Sequence, residues 1–236
     1  MDFNIIKPRN LLVSIVMLFS FFILFVNPIL VFFNYPSLFE LIGLNNLNLI
    51  AIIGIIIFIF SPICWYLFVN KLSPSEMLNS LNLRSKNIDL AFLWSIFAVV
   101  LMSVTTFLFS LFVVFYTAEQ NQSFVNLTET VSDISFLTIF IMIIHAVAAE
   151  IFFRGFILNK FQSLSGTSIS VITTSVLYGI VHLSYGDIYP VILPILFGLI
   201  LGYAVIKTKN LYSAILAQIF FNVIVFVLNF LALSVS

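Results

Sequence analysis

Seven stretches of mainly apolar residues follow one another along this chain of 236 residues: 11–33, 49–68, 90–116, 134–158, 168–184, 188–206 and 211–234. Most of them reach the ~20 residues that a helix needs to cross roughly 30 Å of hydrocarbon. The fifth is the shortest, and the third and fourth have length to spare for tilt. Hydrophobic residues make up 62% of the chain and charged residues 8%, whereas a soluble domain carries about 25% charged residues. The pattern predicts an all-α, polytopic membrane helix bundle of about seven transmembrane helices, eight if a re-entrant segment is added. The longest polar connections, 70–87 and 117–132, are too short to bury a core of their own. The whole chain, 1–236, therefore reads as a single integral membrane domain.

Lys and Arg positions set the expected orientation, because cytoplasmic loops are enriched in them. Lys7 and Arg9 precede the first span, Lys71, Arg84 and Lys86 follow the second, Lys160 follows the fourth, and Lys207 and Lys209 follow the sixth. All lie on one side, and Arg154 is nearer that side. The opposite connections hold only Glu40, Glu119, Glu129, Asp133 and Asp187. A multi-pass cell-membrane protein with its N-terminus in the cytoplasm and its C-terminus outside follows. The first run lacks a small-x-small cleavage site, so an uncleaved first span is expected. Cys64, the one cysteine, lies within the second span and reads as a small apolar residue. Net charge is zero and no basic stripe alternates with aromatics, so nucleic acid is not an expected partner. Abundant Ile, Asn and Phe point to a low-GC bacterial source.

Ionisable groups at membrane depth are costly and mark functional sites by default. The fourth span carries His145, Glu150 and Arg154, and the fifth carries His182. Glu150 and Arg154 are four apart on a helix and can pair; such a pair is equally well explained as a device for helix packing. Tyr178 and His182 are also four apart, and a neutral imidazole can hold water or act as a general base. In the seventh span Gln218 and Asn222 share a face, with Asn229 close to the same stripe. Amides there can join helices or donate to an oxyanion. Counted from the span ends, Glu150 and Asn222 fall about 15 Å deep and His182 about 20–25 Å.

The order Glu150-x-x-x-Arg154, Tyr178-x-x-x-His182, Gln218-x-x-x-Asn222 resembles the motif series of the CPBP family. That family holds CAAX prenyl proteases and Abi, bacteriocin-processing and lysostaphin-resistance-like proteins. The likeness covers 134–230, with Glu150-Ile-Phe-Phe-Arg154-Gly-Phe156 especially similar. The family pattern is Glu-Glu-x-x-x-Arg, Phe-x-x-x-His, His-x-x-x-Asn. Ala149 replaces the first glutamate, Tyr178 the phenylalanine and Gln218 the histidine of the third motif.

The resemblance implies an intramembrane endopeptidase acting on membrane-associated peptides or proteins. Water would be activated by a carboxylate and His182, Arg154 would hold Glu150 ionised, and Asn222 with Gln218 would stabilise the oxyanion. Ala149 removes the glutamate that the family uses on water. Glu150 points about 100° away from it, while His145, four residues before Ala149, shares its face. The alternative is a catalytically impaired member that grips a partner, in bacteriocin self-immunity or as a membrane scaffold. A transporter is disfavoured by the lack of an inverted repeat. Family members are often described as metalloproteases; a zinc site needs three protein ligands and this chain has two histidines, so neither a metal nor another cofactor is expected.

Overall fold

The structure, a computed structural model, describes residues 8–44, 46–116, 136–185 and 189–235. Among these, every regular element is helical. Six helices are long and apolar enough to cross a membrane: Val13–Phe32, Leu47–Val69, Ile88–Val113, Ile139–Ser165, Thr167–Ser184 and Pro190–Thr208. A shorter apolar stretch, Tyr212–Leu228, lies on the last helix, Tyr212–Val235. These are the seven helices expected, and they are called first to seventh here. Lys7, Glu119, Glu129, Asp133 and Asp187, used above for orientation, fall outside the described residues, as does the connection 117–132.

The fourth helix is the central one. Of its most apolar stretch 61% is buried, against 44% or less in the other candidate spans. It packs on the second and seventh helices, and the third packs on the sixth and seventh. Its end differs from expectation. The hydrophobic run weakens after Leu158, yet the helix continues to Ser165. Lys160 is therefore helical, not part of a connection, and its ammonium sits over the rings of Trp65 and Tyr66 at 5.5 and 5.0 Å. A lysine stem can extend a helix past the apolar region while its charge finds aromatic faces. Only Gly166, at φ +78°, separates this helix from the fifth; a residue without Cβ adopts that left-handed geometry without strain.

The fifth and sixth helices approach closely through small residues. A Cβ on Gly179 would strike the Ile195 side chain, one on Gly198 would lie 2.7 Å from Ser175 Cβ, and one on Gly202 would lie 3.2 Å from Val171 Cγ1. Gly198 and Gly202 are four apart, the spacing that lets membrane helices meet backbone to backbone.

Three stretches depart from α geometry to the wider π-helix: Phe22–Val26, Trp65–Val69 and Ile151–Ile157. All three feed one apolar cluster. Ile23, Leu24 and Phe25 from the first, Tyr66 from the second, and Phe152, Phe153 and Phe156 from the third are buried together with Ala149 and Tyr178. A second cluster, built mainly from the third, sixth and seventh helices with Leu158 of the fourth, includes Met102, Leu201, Leu211, Ala217 and Phe221. Val147 and Ile151 of the fourth helix pack against it. Glu150 stands between the residues that face the two clusters.

Candidate functional site

Glu150 ends the α-helical part of the fourth helix, and Arg154 lies in the π stretch that follows. π turns inside helices are rare and occur often at functional sites. Both side chains are fully buried, at 0% and 1% exposure, and Arg154 Nη1 lies 3.0 Å from Glu150 Oε1. The contact is an ion pair without hydrogen-bond geometry. Both carboxylate oxygens and both terminal guanidinium nitrogens lack a hydrogen-bond partner among the described residues. A buried pair normally needs further hydrogen bonds to offset the desolvation of its charges.

The Gly166 turn sets the register of the fourth and fifth helices. Glu150 and His182 stand sixteen residues before and after it, and Arg154 and Tyr178 twelve. The second pairing is seen directly: the Arg154 guanidinium lies 4.3 Å from the centroid of the Tyr178 ring. His182 closes the fifth helix and packs edge-on to Tyr178 at 5.3 Å. The depth mismatch between Glu150 and His182 thus disappears, because the fourth helix is longer than its apolar run. The two do not hydrogen-bond, however; the carboxylate is turned to Arg154.

Leu211 sets the register of the seventh helix. A Cβ on Gly155 would lie 3.0 Å from Leu211 Cδ2, so the stripe carrying Leu211, Gln218 and Asn222 faces the fourth helix. At ~1.5 Å per residue, Gln218 comes to about the level of Glu150, and Asn222 to about that of His145. Gln218 is buried, and its Oε1 also lacks a hydrogen-bond partner among the described residues. Asn222 is half-buried. Among the described residues neither amide hydrogen-bonds the Glu150 carboxylate or the terminal guanidinium nitrogens of Arg154. The side chain of Asn229 lies outside the described residues.

Ala149 is 3% exposed and belongs to the cluster of Phe58, Phe153 and Tyr178. The position where a glutamate was expected is filled by hydrocarbon. His145 points at the second helix, edge-on to Phe58 at 5.3 Å, with its Nε2 2.9 Å from where a Cβ on Gly54 would lie. Gly54 and Phe58 were not foreseen in the site; the one signal was a lone glycine in an otherwise bulky apolar run. The donor set does not suit zinc. No three of His, Cys, Asp and Glu converge among the described residues, and the Arg154 guanidinium occupies the side of Glu150 where a cation would bind.

No curated protein and no solved structure matches the chain significantly. The family model described as type II CAAX prenyl endopeptidase Rce1-like matches residues 131–224. That span holds Ala149, Glu150, Arg154, Tyr178, His182, Gln218 and Asn222, the residues on which the motif resemblance rested. Residues 131–224 are thus similar to the Rce1-like model of the CPBP family, and Ala149 stands there where the motif series has its first glutamate.

Proposed function

We propose that this membrane protein is an intramembrane endopeptidase that cleaves membrane-associated peptides or proteins. The observation that carries the reading is the buried Glu150–Arg154 pair, whose four terminal polar atoms have no hydrogen-bond partner among the described residues. A pair that served packing alone would leave fewer polar atoms unused. His182 takes a proton from water, and the ionised Glu150, held by Arg154, stabilises the imidazolium through the local field. The Asn222 and Gln218 amides, on the stripe facing the fourth helix, donate to the oxyanion of the tetrahedral intermediate. The positions of the nine basic residues favour an N-terminus in the cytoplasm, a C-terminus outside and a Gly166 turn at the cytoplasmic face. The composition favours a bacterial cell membrane.

Purified protein incubated with leader-type and CAAX-type membrane peptides should cut at least one of them, with cleavage read by mass spectrometry and lost in His182→Ala. One observation favours a second reading, a binding protein that has lost catalysis: the apolar packing of Ala149. Under that reading only Ala149→Glu cleaves, and the wild type instead retains a partner such as a bacteriocin or a cell-wall enzyme.

A further inference from the structure

The first helix carries a buried polar residue outside the motif series, Asn27, which is 4% exposed. Its Oδ1 accepts from Leu38 N at 2.7 Å, eleven residues on, where the chain folds back at the capped start of the helix Leu38–Leu41. That bond fixes which way the carboxamide faces, because only its oxygen can accept. Asn27 Nδ2 has no hydrogen-bond partner among the described residues, and it is not one of the sealed polar atoms. The little surface that Asn27 keeps therefore includes this donor. Ile29, about 200° round the helix, is on the exposed side, so Asn27 faces into the bundle. The stretch Asn27–Phe32 packs on His182–Tyr185 at the end of the fifth helix. Lower down, Phe25 meets Phe153 at 6.4 Å and Phe153 meets Tyr178 at 5.1 Å. The first and fifth helices run the same way from there, two residues to Asn27 and four to His182. At ~1.5 Å per residue the two lie within about 3 Å of one level. A π turn, Phe22–Val26, directly precedes Asn27, as another directly follows Glu150; such turns occur often at functional sites.

A residue that served only to tie the loop would need its oxygen alone, and an amide donor left unpaired inside a membrane bundle is costly. From this placement we infer that Asn27 is a substrate-binding residue, whose Nδ2 donates to a backbone carbonyl of the peptide lying against His182. The inference rests on the endopeptidase reading and deepens it. Leu38 N holds the carboxamide in place, so the donor is oriented before the peptide arrives. A contact of this kind reads main chain, so it selects an extended peptide without selecting its side chains. Gln218 and Asn222 come from the seventh helix and Asn27 from the first, and the peptide is held from both.

The test uses the full-length protein in detergent with a peptide the wild type cleaves. Asn27→Leu should raise KM about tenfold and change kcat less than about threefold, the pattern of a lost binding contact. A second variant reaches the same donor from the loop. Leu38→Pro removes the N–H that holds the carboxamide, and proline suits the first position of a helix after an extended residue such as Ser37; it should raise KM in the same direction. The decisive readout is a set of peptides in which each backbone amide outside the scissile bond is replaced, one at a time, by an ester, whose carbonyl is a poorer acceptor. At one position the ester should raise KM for the wild type and leave it unchanged for Asn27→Leu, a coupling that a loop tie alone would not produce. A folded Asn27→Leu with wild-type KM, or one in which every ester keeps its effect, overturns this inference alone. If Asn27→Leu does not fold, a Leu38→Pro protein with wild-type KM and undiminished ester effects overturns it instead. No cleavage of any peptide by the wild type overturns the endopeptidase reading, and this inference with it.

Discussion

Two buried polar regions of this protein are built on opposite plans. At the Gly166 end of the bundle, asparagines stitch the loop 79–87 to the helices around it. Asn210 Nδ2 donates to the carbonyls of Arg84 and Lys86, both at 2.9 Å, and its Oδ1 accepts from Tyr212 N. Asn159 Nδ2 donates to the carbonyls of Ser80 and Gly155, and its Oδ1 accepts from Asn82 Nδ2. The Asn82 carbonyl in turn accepts from Leu211 N. Asn210, Thr208 and Ser213 are fully buried there and hydrogen-bonded. Higher in the bundle, Glu150 and Arg154 are as deeply buried and Gln218 nearly so, but they hold polar atoms without hydrogen bonds among the described residues. Satisfied buried polar groups fix a structure; unsatisfied ones cost stability and persist where they serve something else.

The comparison can be broken at either side. The largest effect is expected from Arg154→Met, which strands the Glu150 carboxylate in apolar surroundings and should cost about 3–5 kcal/mol, seen as a lower unfolding temperature in detergent. Asn210→Ala should follow at about 2–3 kcal/mol, since it orphans two loop carbonyls at once, and cleavage per folded molecule should be unchanged. Gly198→Ala should cost about 1–3 kcal/mol by forcing the fifth and sixth helices apart, again read from thermal unfolding.

The smallest effect lies on the short helix that leads into this loop. Ser73 and Glu76 form a reciprocal cap on the helix Pro74–Ser80, and Ser73→Ala should cost about 1 kcal/mol. Hydrogen bonds from the Ser73 hydroxyl and amide hold the Glu76 carboxyl below its ordinary range. Its contribution is therefore present above the ordinary carboxylate range and lost as pH falls through the lowered value. Protection of the Pro74–Ser80 amides, relative to their intrinsic exchange rates at each pH, should fall over that acidic window, and should not do so in Glu76→Gln.

The helix count was legible because spanning hydrocarbon demands long apolar runs, and lysines mark their ends. The end of the fourth helix was not, since Asn159 and Lys160 are polar by type but bury their polar ends against a loop and two rings. That single misplacement also produced the apparent depth mismatch of His182. The Glu150–Arg154 pair could be read from its spacing. What spacing could not give is which way His145 turns, because the answer lies in Gly54 and Phe58, ninety residues upstream on another helix. The close approach of the fifth and sixth helices was written in Gly198 and Gly202, a signal easily lost in a run of leucines.

The most direct test of the difference between the two regions is the double substitution Glu150→Leu with Arg154→Met, measured for both thermal stability and peptide cleavage. Apolar replacement of a whole buried ion pair is often neutral or stabilising. If the pair is there for function, the double variant keeps or gains stability and loses cleavage. A double variant that unfolds several degrees earlier yet still cleaves would show that the pair belongs to the structural plan of the asparagine network instead.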